Sequence, residues 1–174
     1  MLKLAGFGLT LEPLRAETAE TVRVWRNQDA VLAFMEYQEL ISPEMQQEWL
    51  RNIDPATSVY FLISVEDVAV GMIHLAAIDH ISKSAEAGLF IGNRGFKGTG
   101  VTLGASLLLL DYAFETLQLE HVFAKVNNSN IEAEKYNQFI GFKREKVLNS
   151  RFNLWKISKN DFNQKRDSLA RLIG

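Results

Sequence analysis

From Gly92 to Val101 the chain reads G-N-R-G-F-K-G-T-G-V, which sets two cations, Arg94 and Lys97, among glycines at 95, 98 and 100. An apolar strand-like run (Leu89, Phe90, Ile91) leads in, and an apolar helical run from Val101 leads out. Glycines lack a Cβ, so backbone N–H groups can converge on one point and a ligand can come close; the helix N-terminus adds unpaired donors and the positive end of its dipole. A phosphate or pyrophosphate suits such a turn. A plain strand-to-helix connection would use the same glycines, and it is the two cations that point beyond it. The spacing contains no G-x-x-x-x-G-K-[ST], and G-F-K-G-T-G is not G-x-G-x-x-G, so neither a nucleoside triphosphatase nor a dinucleotide dehydrogenase is supported.

Composition narrows the remaining chemistry. There is no cysteine, which removes disulfides, thiolate metal sites and a cysteine nucleophile. The three histidines, His74, His80 and His121, show neither H-E-x-x-H nor cluster spacing, so no metal is expected. A net charge of −2 gives no reason to expect nucleic acid or an anionic membrane as partner. A length of 174 residues with 47% hydrophobic side chains fits a single domain, 1–174, able to bury a real core. The start, M-L-K-L-A-G-F-G-L-T-L-E-P-L, lacks a signal-peptide core and any membrane-spanning run, so a soluble cytoplasmic protein is expected.

The elements that must position the turn follow from pattern. A first strand is expected at Leu9–Leu14 and a helix at Glu17–Asn27. Ser42-Pro43-Glu44 reads as an N-cap, a proline at the first helical position and an acidic first turn, opening a helix to about Asn52. The segment between, A-V-L-A-F-M-E-Y-Q-E-L-I, is either a cap over the core or a wall of a ligand pocket. Ser58–Val65 and Val68–Ile78 form a hairpin about Glu66-Asp67. His74, mid-strand, reads as a structural histidine. The helix from Val101 to Leu117 is nearly all apolar and therefore buried. Val122, Ala124 and Val126 alternate along a strand, Asn127–Asn130 break it and cap a helix ending at Gly141, and Phe142–Leu148 with Asn153–Ile157 close the sheet before a charged helix from about Asp161. This order predicts an α/β (α+β) fold, with a mixed, mostly antiparallel sheet of six or seven strands and helices on both faces.

Two motifs in this order carry a resemblance. Gly98-Thr99-Gly100 at a helix start resembles the cofactor loop [QR]-x-x-G-x-[GA] of the GNAT N-acetyltransferases, with Gly95 at the [QR] position and Arg94 one residue early. V-F-A-K-V-N-N-S-N-I-E-A-E-K-Y-N-Q-F-I-G-F, Val122 to Phe142, resembles that superfamily's strand, N-x-x-A helix and terminal G-F. The resemblance implies the GNAT fold, splayed open where Leu89–Ile91 and Val122–Val126 run side by side. It also implies acetyl-CoA as co-substrate, held by Leu89, Phe90 and Ile91 along its pantetheine arm. Arg94, Gly95, Phe96, Lys97, Gly98, Thr99, Gly100 and Val101 would lie at the pyrophosphate, with Asn130 and Asn137 farther along.

The family's chemistry then falls on particular positions. Seven residues after Asn130, where many members carry a tyrosine acid, stands Asn137; the tyrosine is Tyr136, turned about 100° around the helix. Tyr136 is therefore expected to pack, and Asn137 to stabilise the departing thiolate. Where several members place a glutamate stands Lys125, which leaves Glu86 as the first candidate base, with water relays to Glu86 or Glu36 as alternatives. The stretches V-W-R-N-Q-D-A-V-L-A-F-M and I-S-P-E-M-Q-Q-E-W-L resemble acetyltransferases of nucleotide-linked 4-amino sugars. This places Arg26, Asn27, Met35, Glu36 and Tyr37 around a small-molecule amine acceptor, in a monomer or homodimer. Rim-type protein and polyamine acetyltransferases are the alternatives, and a non-catalytic acetyl-CoA binder is the alternative of another class.

Overall fold

A computed structural model describes all 174 residues. In chain order the elements are β1 (Leu4–Gly6), β2 (Leu9–Pro13), α1 (Ala16–Arg26), α2 (Asp29–Leu32), α3 (Pro43–Arg51), β3 (Val59–Val65), β4 (Val68–Asp79) and β5 (Ser84–Ile91). A single 3₁₀ turn (Arg94–Phe96) leads to α4 (Val101–Asp111), which widens into a π turn at Tyr112–Thr116. Then come β6 (His121–Asn127), α5 (Ile131–Ile140), β7 (Lys143–Val147), β8 (Phe152–Ser158) and α6 (Lys159–Ala170).

Local chemistry explains the boundaries. Glu66 and Asp67 both take positive φ (47° and 64°), the pattern whose twist matches the flanking strands of a two-residue hairpin. Phe7 and Gly8 do the same at 55° and 73°, and so close β1 onto β2. That turn is why eight strands are present where six or seven were expected: the glycines that interrupt the N-terminal apolar run fold it back as an extra strand. Ser42 accepts a hydrogen bond from the Met45 N–H with Pro43 at the first helical position, and Gly141 ends α5 at φ 124°. The helix expected to run to Leu117 keeps α geometry only to Asp111, and the Lys159 ammonium donates to the Phe114 carbonyl within the π turn.

The sheet has the order β1-β2-β3-β4-β5-β6-β8-β7, and every neighbouring pair is antiparallel except β5 and β6. Alternate residues divide it into two faces. Phe61, Ile63, Ile73, Leu75, Val122 and Ile157 are buried in the main core with Leu107 and Leu109 of α4 and Phe162 of α6. Trp49 of α3 meets Tyr60 edge-on at 4.7 Å between ring centroids, which puts α3 and its neighbour α1 on the opposite face.

One feature of the register organises everything else. β5 and β6 pair only from Ser84↔His121 to Ala87↔Ala124. Beyond that point β5 follows β4 as far as Gly71↔Ile91, while β6 follows β8 as far as Asn127↔Phe152. The sheet therefore opens as a V between Gly88–Ile91 and Lys125–Asn127, leaving one edge of each segment without a strand partner.

Candidate active site

The turn after β5 stands at the mouth of this V. Gly98 (φ 74°) and Gly100 (φ 82°) both occupy the left-handed region, where a side chain is strained, and Gly100 serves as the N-cap of α4 without any capping side chain. As a result the backbone N–H groups of Gly98, Thr99, Gly100, Val101, Thr102 and Leu103 donate to no protein acceptor. The N–H groups of Gly95, Phe96 and Lys97 are already engaged, by the Asn93 side chain, the Asn93 carbonyl and the Arg94 carbonyl respectively. The free donors thus run from Gly98 into α4 at Leu103, whereas the sequence places the pyrophosphate along Arg94 to Val101. Arg94 and Lys97 are exposed beside them. Six unpaired N–H groups at a helix start, with two cations, fit the pyrophosphate of acetyl-CoA, and the unpartnered edge of Leu89, Phe90 and Ile91 fits an extended amide-bearing arm.

The inner wall is set by strand parity. Ala85 and Ala87 face the main core, so Glu86, Gly88 and Phe90 face α1 and α3, as do Lys125 on β6, Tyr60 on β3 and His74 on β4. The Lys125 ammonium lies 3.5 Å from Glu86 Oε2 and 3.2 Å from Glu36 Oε1. Partial burial alone would lower the Lys125 pKa, but its hydrogen bonds and charge interactions with Glu36 and Glu86 together outweigh that and raise it. Lys125 is a fixed cation, unable to accept a proton near neutral pH.

Deeper in, the His74 ring stacks on Tyr60 at 4.8 Å, and a Cβ at Gly88 would come within 2.4 Å of that ring. Burial, helped by the Arg26 charge, pulls the His74 pKa to about 4, so the imidazole is neutral. Arg26 is the unusual member. Its Nε is sealed from solvent without a hydrogen-bond partner, burial holds its pKa below the ordinary arginine value, and no carboxylate offsets that. His74 Nδ1 is likewise buried and unpartnered.

The remaining sequence candidates divide. Tyr136 points away from the opening: its hydroxyl donates to the Thr102 carbonyl at 3.0 Å and meets Ser106 Oγ at 2.7 Å, and burial drives its pKa well up. Asn137 Nδ2 donates one hydrogen to the Ala133 carbonyl, and Asn130 Oδ1 caps α5 by accepting from the Ala133 N–H. Asn27 exchanges two hydrogen bonds with the Ile41 backbone, both at 2.9 Å, and so ties the connection between α1 and α3 to α1. Met35 meets the Arg151 guanidinium through its carbonyl, and Tyr37 is exposed, 3.5 Å from Glu39. Tyr60 and Lys125's double ion pair escaped the sequence; counting parity outward from Ala85 through the hairpin would have put Tyr60, His74 and Glu86 on one face.

Comparison with known proteins matches this architecture. The acetyltransferase (GNAT) domain model fits residues 8–143. YdaF of Bacillus subtilis (strain 168), a candidate ribosomal N-acetyltransferase, is 29% identical over 109 residues, which span 63% of this chain and 57% of YdaF. FdhC, described as a nucleotide-linked sugar GNAT, superposes with a TM-score of 0.84 at 19% identity, covering 99% of both chains. The spermidine N-acetyltransferase of Vibrio cholerae, solved with CoA and spermine, gives 0.80 at 20% identity over 91% of this chain and 99% of its own. At such identities the structural likeness is one of fold. The family match spans well over half the sequence and contains both the glycine turn and the strand-helix motif, and the chain belongs to the acetyltransferase (GNAT) domain family.

Proposed function

We propose that residues 1–174 form one acetyl-CoA-dependent N-acetyltransferase domain that acetylates a primary amine on a small molecule bearing an anionic group, a nucleotide-linked 4-amino sugar being the best fit. The observation that carries the reading is the V between β5 and β6 opening beside six free backbone N–H groups. When bound, acetyl-CoA supplies the acetyl thioester. The protein's part is to hold the amine at the opening, take a proton from it and stabilise the departing thiolate. Glu86 stands one residue before the end of the β5–β6 pairing, its Oε2 lies 3.5 Å from Lys125, and its carboxylate would accept the amine's proton directly or through water. Asn137 retains one Nδ2 hydrogen for the thiolate, while Tyr136 has its hydroxyl committed to α4.

Arg26 supports the anionic acceptor. Its Nε is buried with no hydrogen-bond partner, which is costly, and a phosphate or carboxylate on the ligand reaching this half-buried guanidinium would relieve that cost. Glu36, Glu86, Lys125 and Arg26 sum to no net charge, which gives a polycation no advantage at this face. The reading places the protein in the cytoplasm. Thiol release from acetyl-CoA, measured with a nucleotide-linked 4-amino sugar, an N-terminal peptide and spermidine, tests it. Turnover with the amino sugar alone is the expected result; turnover only with peptide or spermidine would overturn the acceptor assignment, and none with any amine would favour a non-catalytic binder.

A further inference from the structure

Two carboxylates from distant parts of the chain, Glu36 in the connection before α3 and Glu86 on β5, converge on one ammonium, and that ammonium belongs to the protein. A terminal ammonium of a diamine or polyamine carries the same charge and the same three donors as the lysine head group, so two carboxylates around one nitrogen would suit it equally. Lys125 reaches it from β6 at the point where β6 leaves β5, beside the opening where an acceptor amine would have to sit. No other cation on this face pairs directly with the two carboxylates: Arg26 has no carboxylate partner, and His74 and Tyr60 are uncharged near neutral pH.

We infer that Lys125 determines acceptor specificity by filling, from within the chain, the seat that the second ammonium of a di- or polyamine would occupy. This deepens the acetyltransferase reading by naming what the site rejects. A polyamine arriving at the native protein meets a lysine that already bridges both carboxylates and repels a second ammonium there, whereas an acceptor with one amine and an anionic group meets no such conflict. Removing the lysine charge frees both carboxylates for an incoming cation. The segment bearing Glu36 stays anchored without Lys125, because Asn27 still clamps Ile41 and Arg151 still holds the Met35 carbonyl.

The test is calorimetric titration of spermidine into the protein without acetyl-CoA, so that it reads binding alone and does not depend on turnover. Wild type and Lys125→Arg are expected to bind spermidine weakly. Lys125→Met is expected to bind it at least tenfold more tightly, with affinity falling steeply with salt, and Lys125→Met/Glu36→Gln is expected to lose that gain. Thermal melts of all four proteins establish that each is folded, and Lys125→Ala replaces Lys125→Met if the latter melts early. Equal spermidine affinity in wild type and Lys125→Met, or a gain that survives Glu36→Gln, would overturn the inference. Failure of acetyl transfer to any amine would sink the enzyme assignment and leave this binding result standing.

Discussion

Two side chains with ordinary names behave in opposite ways here. Tyr136 carries the group a thiolate acid would need, yet its hydroxyl is engaged between Ser106 and the Thr102 carbonyl. Tyr136→Phe should therefore leave turnover within about twofold while costing about 1 kcal/mol in stability for the lost hydrogen bonds. With Asn137 in its proposed place as donor to the thiolate, Asn137→Ala should cost up to about 3 kcal/mol, roughly a hundredfold in kcat. Steady-state rates beside urea unfolding of both variants check this; an inactive Tyr136→Phe with a healthy Asn137→Ala would reverse the assignment. His74 makes a prediction about pH. Unfolded, it gains its proton near 6.5, but folded it resists protonation until about 4, so unfolding takes up a proton between those values and stability falls as pH falls. The loss should approach roughly 3 kcal/mol by pH 4, and it should be absent from His74→Gln when urea midpoints of the two proteins are compared across that range. A parallel decline in both would mean that His74 protonates freely in the fold.

At the scale of elements, α1 is docked on the start of the glycine turn through one close contact. A Cβ on Gly92 would lie 2.1 Å from the Trp25 ring, beside Arg26 in sequence. Gly92→Ala must displace that indole, and should cost about 1–3 kcal/mol in unfolding free energy; a thermal melt unchanged from wild type would show that Trp25 can move freely. Much of this layer is legible in the sequence, because it depends on local rules. Ser42-Pro43 marks a helix start, Glu66-Asp67 a hairpin, and the alternation of Val122, Ala124 and Val126 shows which side of β6 meets the core. What escaped is non-local. Nothing near Lys125 in the sequence reveals that Glu36, almost ninety positions earlier, folds over to meet it. The free N–H groups were displaced for a similar reason: Asn93, which looks like a spectator in the motif, consumes the first donors of the turn with its own side chain and carbonyl. The extra strand β1 depends on Phe7 accepting positive φ, which a bulky residue seldom does.

For the whole molecule, a sheet that changes partners halfway along two strands is the source of the site. Antiparallel pairing holds β1 through β5 on one side, and β6, β8 and β7 on the other, and the short parallel contact between β5 and β6 joins the two halves. The main core beneath includes residues of α4, α5 and α6 and packs under both halves, on either side of the opening. The central claim is that this opening and the free N–H groups at its mouth bind acetyl-CoA. Calorimetric titration of acetyl-CoA into wild type and Gly98→Val tests it most directly, since Gly98 has open space around its Cβ position and a left-handed backbone, and a valine there obstructs the approach to the donors. Saturable binding by wild type, weakened at least tenfold in a folded Gly98→Val protein, is the predicted result; undiminished affinity in the variant, or no binding by wild type, would contradict it.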